Sequence, residues 1–318
     1  MKTQRISSKK TGFTLVELLV AMFITTIIIS VLVGITSIAL DTWNRSRSEL
    51  RAARQAKAMI DTMARDLESL VTRKGNTNEW LSAIADDSSI GQNLTSTNAT
   101  KLIFFTAATD RYDGNIGGSD DRGGDVSCVA YQLEYKDPIG STGAAGGTFD
   151  TFVLNRLLVN PDETFDKLLG ETQTDPNKNV STLEDVFNQN FSQDISDEQN
   201  FVCENIYQFS VTFYVQTSET SGGANPTTEV KNHLVKVDKN NNSFRILGTG
   251  IETEAPAGVT PATFAAGRVT AVQISTTVLS DFGVDQAKKR SFASDEAKAK
   301  FFSQNSFEYS KIIQIPSM

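Results

Sequence analysis

The sequence predicts an α+β protein, with one long N-terminal helix packed on a body of antiparallel strands. Three observations predict it. Residues 18–40 form a run of 23 with no charge and no proline. Apolar residues then recur at steps of three and four as far as residue 70. Beyond residue 75, short segments rich in β-branched and aromatic residues alternate with loops of Gly, Asn and Asp.

The N-terminal segment comes first. Residues 1–12 carry Lys2, Arg5, Lys9 and Lys10 and no acid. The run that follows is long enough to cross a bilayer core as a helix. A cleaved secretory signal has a shorter apolar core and then a small-residue cleavage motif, and none follows Leu40 before the basic stretch 45–54. Glu17 stands four residues into the apolar run that starts at Phe13. A carboxylate there costs several kcal/mol unless it has a partner, so its presence implies a role.

The string Lys10-Thr11-Gly12-Phe13-Thr14-Leu15-Val16-Glu17-Leu18 resembles the class III signal of type IV pilins and type II secretion pseudopilins. The resemblance strictly covers about the first 70 residues. It implies that a prepilin peptidase cuts after Gly12, that the new terminal Phe13 is methylated, and that Glu17 pairs with the α-amine of a neighbouring subunit during assembly. The chemistry agrees with those roles. Glycine brings no side chain to a protease cleft, and pairing the carboxylate with the amine removes both charges from an apolar bundle together. Many major pilins carry a kinking proline in this helix; here Gly34 stands near that place and disrupts less.

Apolar Leu50, Ala53, Ala56, Met59, Ile60, Met63, Leu67 and Leu70 alternate with charged residues, which continues the helix in amphipathic form. The helix is expected from Phe13 to about Val71, roughly 90 Å at 1.5 Å per residue, with Gly75 and Asn76 ending it. The Met59/Met63 stripe reads as core packing. Trp43 and the arginines after it suit a membrane–water interface. Residues 53–56 and 63–67, including Arg65-Asp66-Leu67, are similar to the stalk helix of J-type minor pseudopilins, which implies a body of two paired sheets.

Expected strands are 101–106, 126–135, 148–158, 201–215, 230–237, 243–247, 269–279 and 309–315. Residues 140–147 and 217–228 read as flexible hairpin loops. Residues 160–200 read as a polar surface insertion with one short helix at 183–191, and Ser294 as the cap of a helix through Phe302. The expected organisation is therefore a prepilin leader at 1–12, a transmembrane and filament-core helix at 13–40, its amphipathic continuation at 41–74, and an extracytoplasmic β-rich body at 75–318.

Candidate sites in the body are few. Cys128 and Cys203 are candidates for a disulfide, with two buried thiols the competing reading; no Cys/His cluster suggests zinc. The loop bearing Asp110, Asp113, Asn115, Asp120, Asp121 and Asp125 offers oxygens to Ca²⁺, but its spacing is not that of an EF-hand and a solvated hairpin is the better reading. No other metal or cofactor is expected. His233 is the sole histidine, so triad and multi-histidine chemistry lack parts, and no nucleotide-binding or nucleophile-elbow motif occurs.

Net charge is −8, and subtracting the four cations of residues 1–12 leaves a body near −12. Such a body repels phosphate backbones, so nucleic acid is not an expected partner. The resemblance implies a non-catalytic subunit of a pseudopilus or pilus. The expected location is the inner membrane, single-pass, with a cytoplasmic leader and a periplasmic or extracellular body. Its expected partners are the prepilin peptidase, other pilin or pseudopilin subunits and, indirectly, an assembly platform protein and ATPase. The competing class is a surface adhesin, or an anchored ligand-binding or enzymatic module, exported on a pilin-like signal.

Overall fold

In the computed structural model the described residues are 12, 14–85, 98–107, 124–137, 150–169, 182–220, 228–238, 240–241, 243–290 and 292–315. Helix α1 runs Leu15–Glu68. The chain divides into two units, residues 1–50 and residues 51–318.

In the first unit every large apolar side chain of the helix is exposed. It is apolar all round its circumference, so nothing within this unit buries it. Five of its hydroxyls bond within the helix. Thr25, Thr26, Ser30, Thr36 and Thr42 each donate to the carbonyl four residues back, at 2.7–2.9 Å. These five hydroxyls thereby spend their donors on the helix's own carbonyls and not on the surroundings.

The second unit begins with the last part of α1, which buries Ala52, Ala56, Met59, Ile60, Met63, Ala64 and Leu67. The methionine stripe is core, as its spacing predicts. Two antiparallel sheets share that core. The first has seven strands in the order β5-β4-β3-β2-β1-β8-β9, and the second four in the order β11-β10-β6-β7. The strands are β1 Glu79–Ala85, β2 Thr100–Thr106, β3 Ser127–Lys136, β4 Thr151–Val159, β5 Phe201–Glu204, β6 Ile206–Thr220, β7 Thr228–Lys236, β8 Ser243–Leu247, β9 Gly250–Glu252, β10 Arg268–Leu279 and β11 Ser306–Gln314. Between them lie α2 Pro161–Glu163, α3 Leu183–Phe191, α4 Pro261–Ala265, α5 Asp281–Lys289 and α6 Asp295–Asn305.

Strand alternation divides the seven-stranded sheet into two faces. Leu102, Phe104, Val129, Tyr131 and Leu154 join α1 and the four-stranded sheet in the main core. Ile103, Phe105, Cys128, Ala130 and Val159 face the other way. That second face is covered by residues 160–169 and 182–200, which corrects the reading of these parts of the stretch 160–200 as a surface insertion. Leu168, Leu183, Val186, Phe187, Phe191 and Ile195 are all buried there. Spaced at helical intervals, they form an apolar side that the polar average of the segment conceals. Helix α3 lies where the sequence predicts it, with the Thr182 hydroxyl accepting from Asp185 N–H at 3.1 Å.

Three further boundaries differ. The helix ends at Glu68 because Leu70 bridges Thr106 and Val71 N–H reaches the Phe105 carbonyl at 2.8 Å, so sheet pairing takes the backbone groups first. Gly75, with φ of 86°, instead turns the chain into β1. Residues 201–215 are not one strand: Asn205 has φ of 62°, and the chain leaves the seven-stranded sheet before it and enters the other after it. Asn tolerates this left-handed conformation better than other non-glycine residues. Both ends of its side chain are engaged, the oxygen accepting from Thr151 Oγ1 at 2.7 Å and the nitrogen donating to Asp281 Oδ1 at 2.9 Å. Finally, β6 runs to Thr220 and β7 starts at Thr228, so paired strand replaces 217–220 and 228 of the loop expected at 217–228, and 221–227 lie outside the described residues.

Strand β1, absent from the sequence reading, lies centrally between β2 and β8. Its Ser, Ala and Glu give it little strand character, and burial on both faces places it. Helix α6 begins where expected, with the Ser294 hydroxyl accepting from Ala297 N–H at 3.2 Å.

Candidate functional site

Gly12 is exposed, and Phe13 lies outside the described residues. Helix α1 starts just beyond, and its first turn is built by Thr14 and Glu17. Thr14 N–H and Thr14 Oγ1 both donate to Glu17 Oε2 at 2.9 Å. Glu17 N–H returns to Thr14 Oγ1 at 3.3 Å. This is the reciprocal capping box of a T-x-x-E sequence, which satisfies two N–H groups at the helix start. The single carboxylate of the apolar segment therefore lies beside the Gly12–Phe13 junction with its charge held by local donors. The sequence reading gave Glu17 to a neighbouring subunit and left Thr14 without a role; the T-x-x-E spacing was the signal for it.

At the other end of the apolar run Trp43 is exposed, with the Arg47 guanidinium 5.4 Å above its ring. An aromatic and a cation stacked in this way suit the headgroup region. Gly34 meets no atom that an added Cβ would touch, so within the subunit nothing packs against it.

In the body, the Asp66 of the Arg65-Asp66-Leu67 turn is buried. Arg156 grips it with two bonds, Nε to Oδ2 at 2.7 Å and Nη2 to Oδ1 at 2.9 Å, and Tyr131 OH donates to Oδ2 at 2.5 Å. Burial and the neighbouring Asp66 charge push the Tyr131 hydroxyl well above its ordinary range. The triad joins α1 to β3 and β4, which is a structural task.

The other candidates are not brought together. Cys128 and Cys203 are both free and buried, Cys128 in the outer core layer and Cys203 in the main one. Register explains this: Cys128 is opposite Val159 and Cys203 opposite Leu154, residues on opposite faces of β4. The disulfide reading therefore gives way to two buried thiols, with burial pushing Cys203 up to about 12 and Cys128 higher still. Of the calcium candidates, Asp110, Asp113, Asn115, Asp120 and Asp121 lie outside the described residues, and Asp125 is exposed. Among the described residues no group of three His, Cys, Asp or Glu is placed to hold a metal. His233 lies on β7, with Nε2 3.0 Å from Thr217 Oγ1 and its ring against Phe264.

Residues 7–33 match the family model described as the prokaryotic N-terminal methylation motif. No curated protein matches the chain. Among solved structures, a type IV-like pilin from Thermus thermophilus is similar at 10% identity, over 84% of this chain and 97% of that one, with a TM-score of 0.31. At so low a score the fold description rests on the chain's own elements. The chain thus combines a methylation motif, a helix long and apolar enough to span a membrane, and an antiparallel β body.

Proposed function

We propose that the chain is a minor pilin or pseudopilin, a non-catalytic structural subunit of a type IV pilus or a type II secretion pseudopilus. A prepilin peptidase cuts between Gly12 and Phe13, and the freed subunit is anchored by residues 13–40 until it joins a filament with related subunits. The observation that carries this reading is the methylation motif at 7–33, running directly into a helix whose apolar circumference nothing in its own unit covers.

The mechanism follows from the first turn. Before assembly the Glu17 carboxylate is held by Thr14. On assembly it exchanges those donors for the α-amine of a neighbour's Phe13, whose positive charge makes the new contact the stronger one. Side chains from 18 to 40 then exchange lipid for neighbouring helices. An assembly platform and its ATPase supply the work, and the body stays outside the cytoplasm.

Mass spectrometry of the N-terminus tests the reading in cells with and without the peptidase. A mature chain starting at methylated Phe13 is expected only where the peptidase is present; a chain still starting at Met1 in both overturns it. Glu17→Ala is expected to leave cleavage intact and to abolish incorporation, and normal incorporation would remove the assigned role of the carboxylate.

A further inference from the structure

We propose that the body carries a site for an intramolecular amide bond, in which the Lys136 amine on β3 displaces ammonia from the Asn155 side chain on β4 and Glu134 carries the protons. The bond joins two neighbouring strands of the seven-stranded sheet.

Register brings the three side chains to one face. Along β3, Gln132, Glu134 and Lys136 alternate onto the side that carries Cys128 and Ala130, the side of the second core. Asn155 stands opposite Gln132 in the antiparallel ladder and so joins them. Glu134 Oε2 then meets both partners, accepting from Lys136 Nζ at 2.9 Å and from Asn155 Nδ2 at 2.9 Å. Because they share one oxygen, the two nitrogens stand no farther apart than twice that distance, and the amide carbon is one bond beyond Nδ2.

The group is withdrawn from water. The side chains of Lys136 and Glu134 are 7% and 19% exposed, and Asn155 is fully buried. A lysine is almost never buried this far unless it is paired, and its pair here is a carboxylate able to take its proton. Val153, opposite Glu134 in the ladder, and Ile195 are fully buried too, so the amide meets the amine and not bulk water. The carboxylate is fixed from its other side, where Oε1 accepts from Ser196 Oγ at 2.6 Å and from Gln132 Nε2 at 3.1 Å. Lys136 Nζ is steadied by the Ser196 carbonyl. Asn155 Oδ1, by contrast, is buried and has no hydrogen-bond partner among the described residues.

That unpartnered oxygen fits the reaction. Glu134 takes a proton from the Lys136 ammonium, and the freed electron pair on Nζ attacks Asn155 Cγ. Once protonated, Glu134 is a donor, and Oδ1 is the acceptor through which it polarises the carbonyl. Glu134 next passes its proton to Nδ2 and collects a second one from Nζ. The Nζ–Cγ bond has formed, the Cγ–Nδ2 bond breaks, and the nitrogen departs as ammonium with the surplus proton of the lysine. Glu134 ends ionised, as it began. The exchange is redox-neutral and needs no co-reactant. Residues 136 and 155 are then linked covalently, so β3 and β4 separate under load at this point only if a bond breaks.

The test is the mass of the purified full chain, in detergent, and of its tryptic peptides. The chain is expected to be lighter by one ammonia, about 17 Da. An acylated Lys136 resists trypsin, so residues 123–156 are expected as one peptide that carries the loss, with fragment ions placing it between Lys136 and Asn155. Glu134→Gln, which cannot take the proton, is expected to restore the full mass and to lower the melting temperature by several degrees. A full mass in the native chain overturns the inference, and that measurement stands whether or not the variant folds. A loss confined to Asn155, with cleavage after Lys136, overturns it as well, since that marks a succinimide formed on the backbone. A link that persists in Glu134→Gln overturns the mechanism assigned to the carboxylate.

Discussion

Arg156 on β4 holds Asp66 on α1 through two bonds, at 2.7 and 2.9 Å, and both side chains are almost entirely withdrawn from solvent. The pair ties the helix that continues the anchor to the face of the larger sheet. Removing one partner strands the other charge in the core. Arg156→Met is therefore expected to cost about 3–5 kcal/mol, read as a lower midpoint in urea. Arg156→Met with Asp66→Leu is expected to recover much of that loss, because the stranded charge is gone. A double variant as unstable as the single one would show that the pair is worth more than its desolvation.

Glu79 gives the body a pH dependence of definite sign. It is buried on β1 and accepts the Leu183 N–H at the start of α3 at 2.8 Å. Burial raises its carboxyl above the ordinary 4.5, against the opposing pull of that N–H and of Arg245. The folded chain then binds the proton more tightly than the unfolded chain. The stability from this group is complete below the unfolded value and is lost as pH rises through the raised one. Glu79→Gln, which still accepts from Leu183, is expected to gain in melting temperature relative to the native chain between acid and neutral pH. A difference independent of pH would remove Glu79 as its source.

Thr14 is expected to matter beyond the Gly12–Phe13 junction. Thr14→Val keeps the N–H donor to Glu17 and deletes the hydroxyl that bonds it in both directions. The cost to the helix start is about 1 kcal/mol. Amide exchange at Leu15 to Leu18, in detergent, is expected to quicken about five-fold at that cost. Unchanged exchange would mean that the capping box does not hold the first turn.

The two thiols are expected to stay apart under oxidation. Alkylation with mass-spectrometric readout should leave both unmodified in the native protein and modify both after denaturation, without prior reduction. A mass lower by two hydrogens, together with a linked Cys128–Cys203 peptide, would contradict the opposite-face register.

What the sequence showed plainly is what depends on local order and uniform composition. A charge-free run long enough to span, Gly12–Phe13, Glu17 and the helical spacing through Leu67 are all legible along the chain, because a helix satisfies its backbone internally and its period is local. Most strands were legible for the same reason, since alternation is a property of neighbours. Only tertiary structure decided where sheets begin, end and meet. It placed β1 in the centre of a sheet by burial and broke 201–215 at Asn205. It turned residues 160–169 and 182–200 into the cover of a second core and set Cys128 and Cys203 on opposite faces. Each of these depends on which distant strand lies alongside, and pairing register is fixed by contacts between residues far apart in the chain.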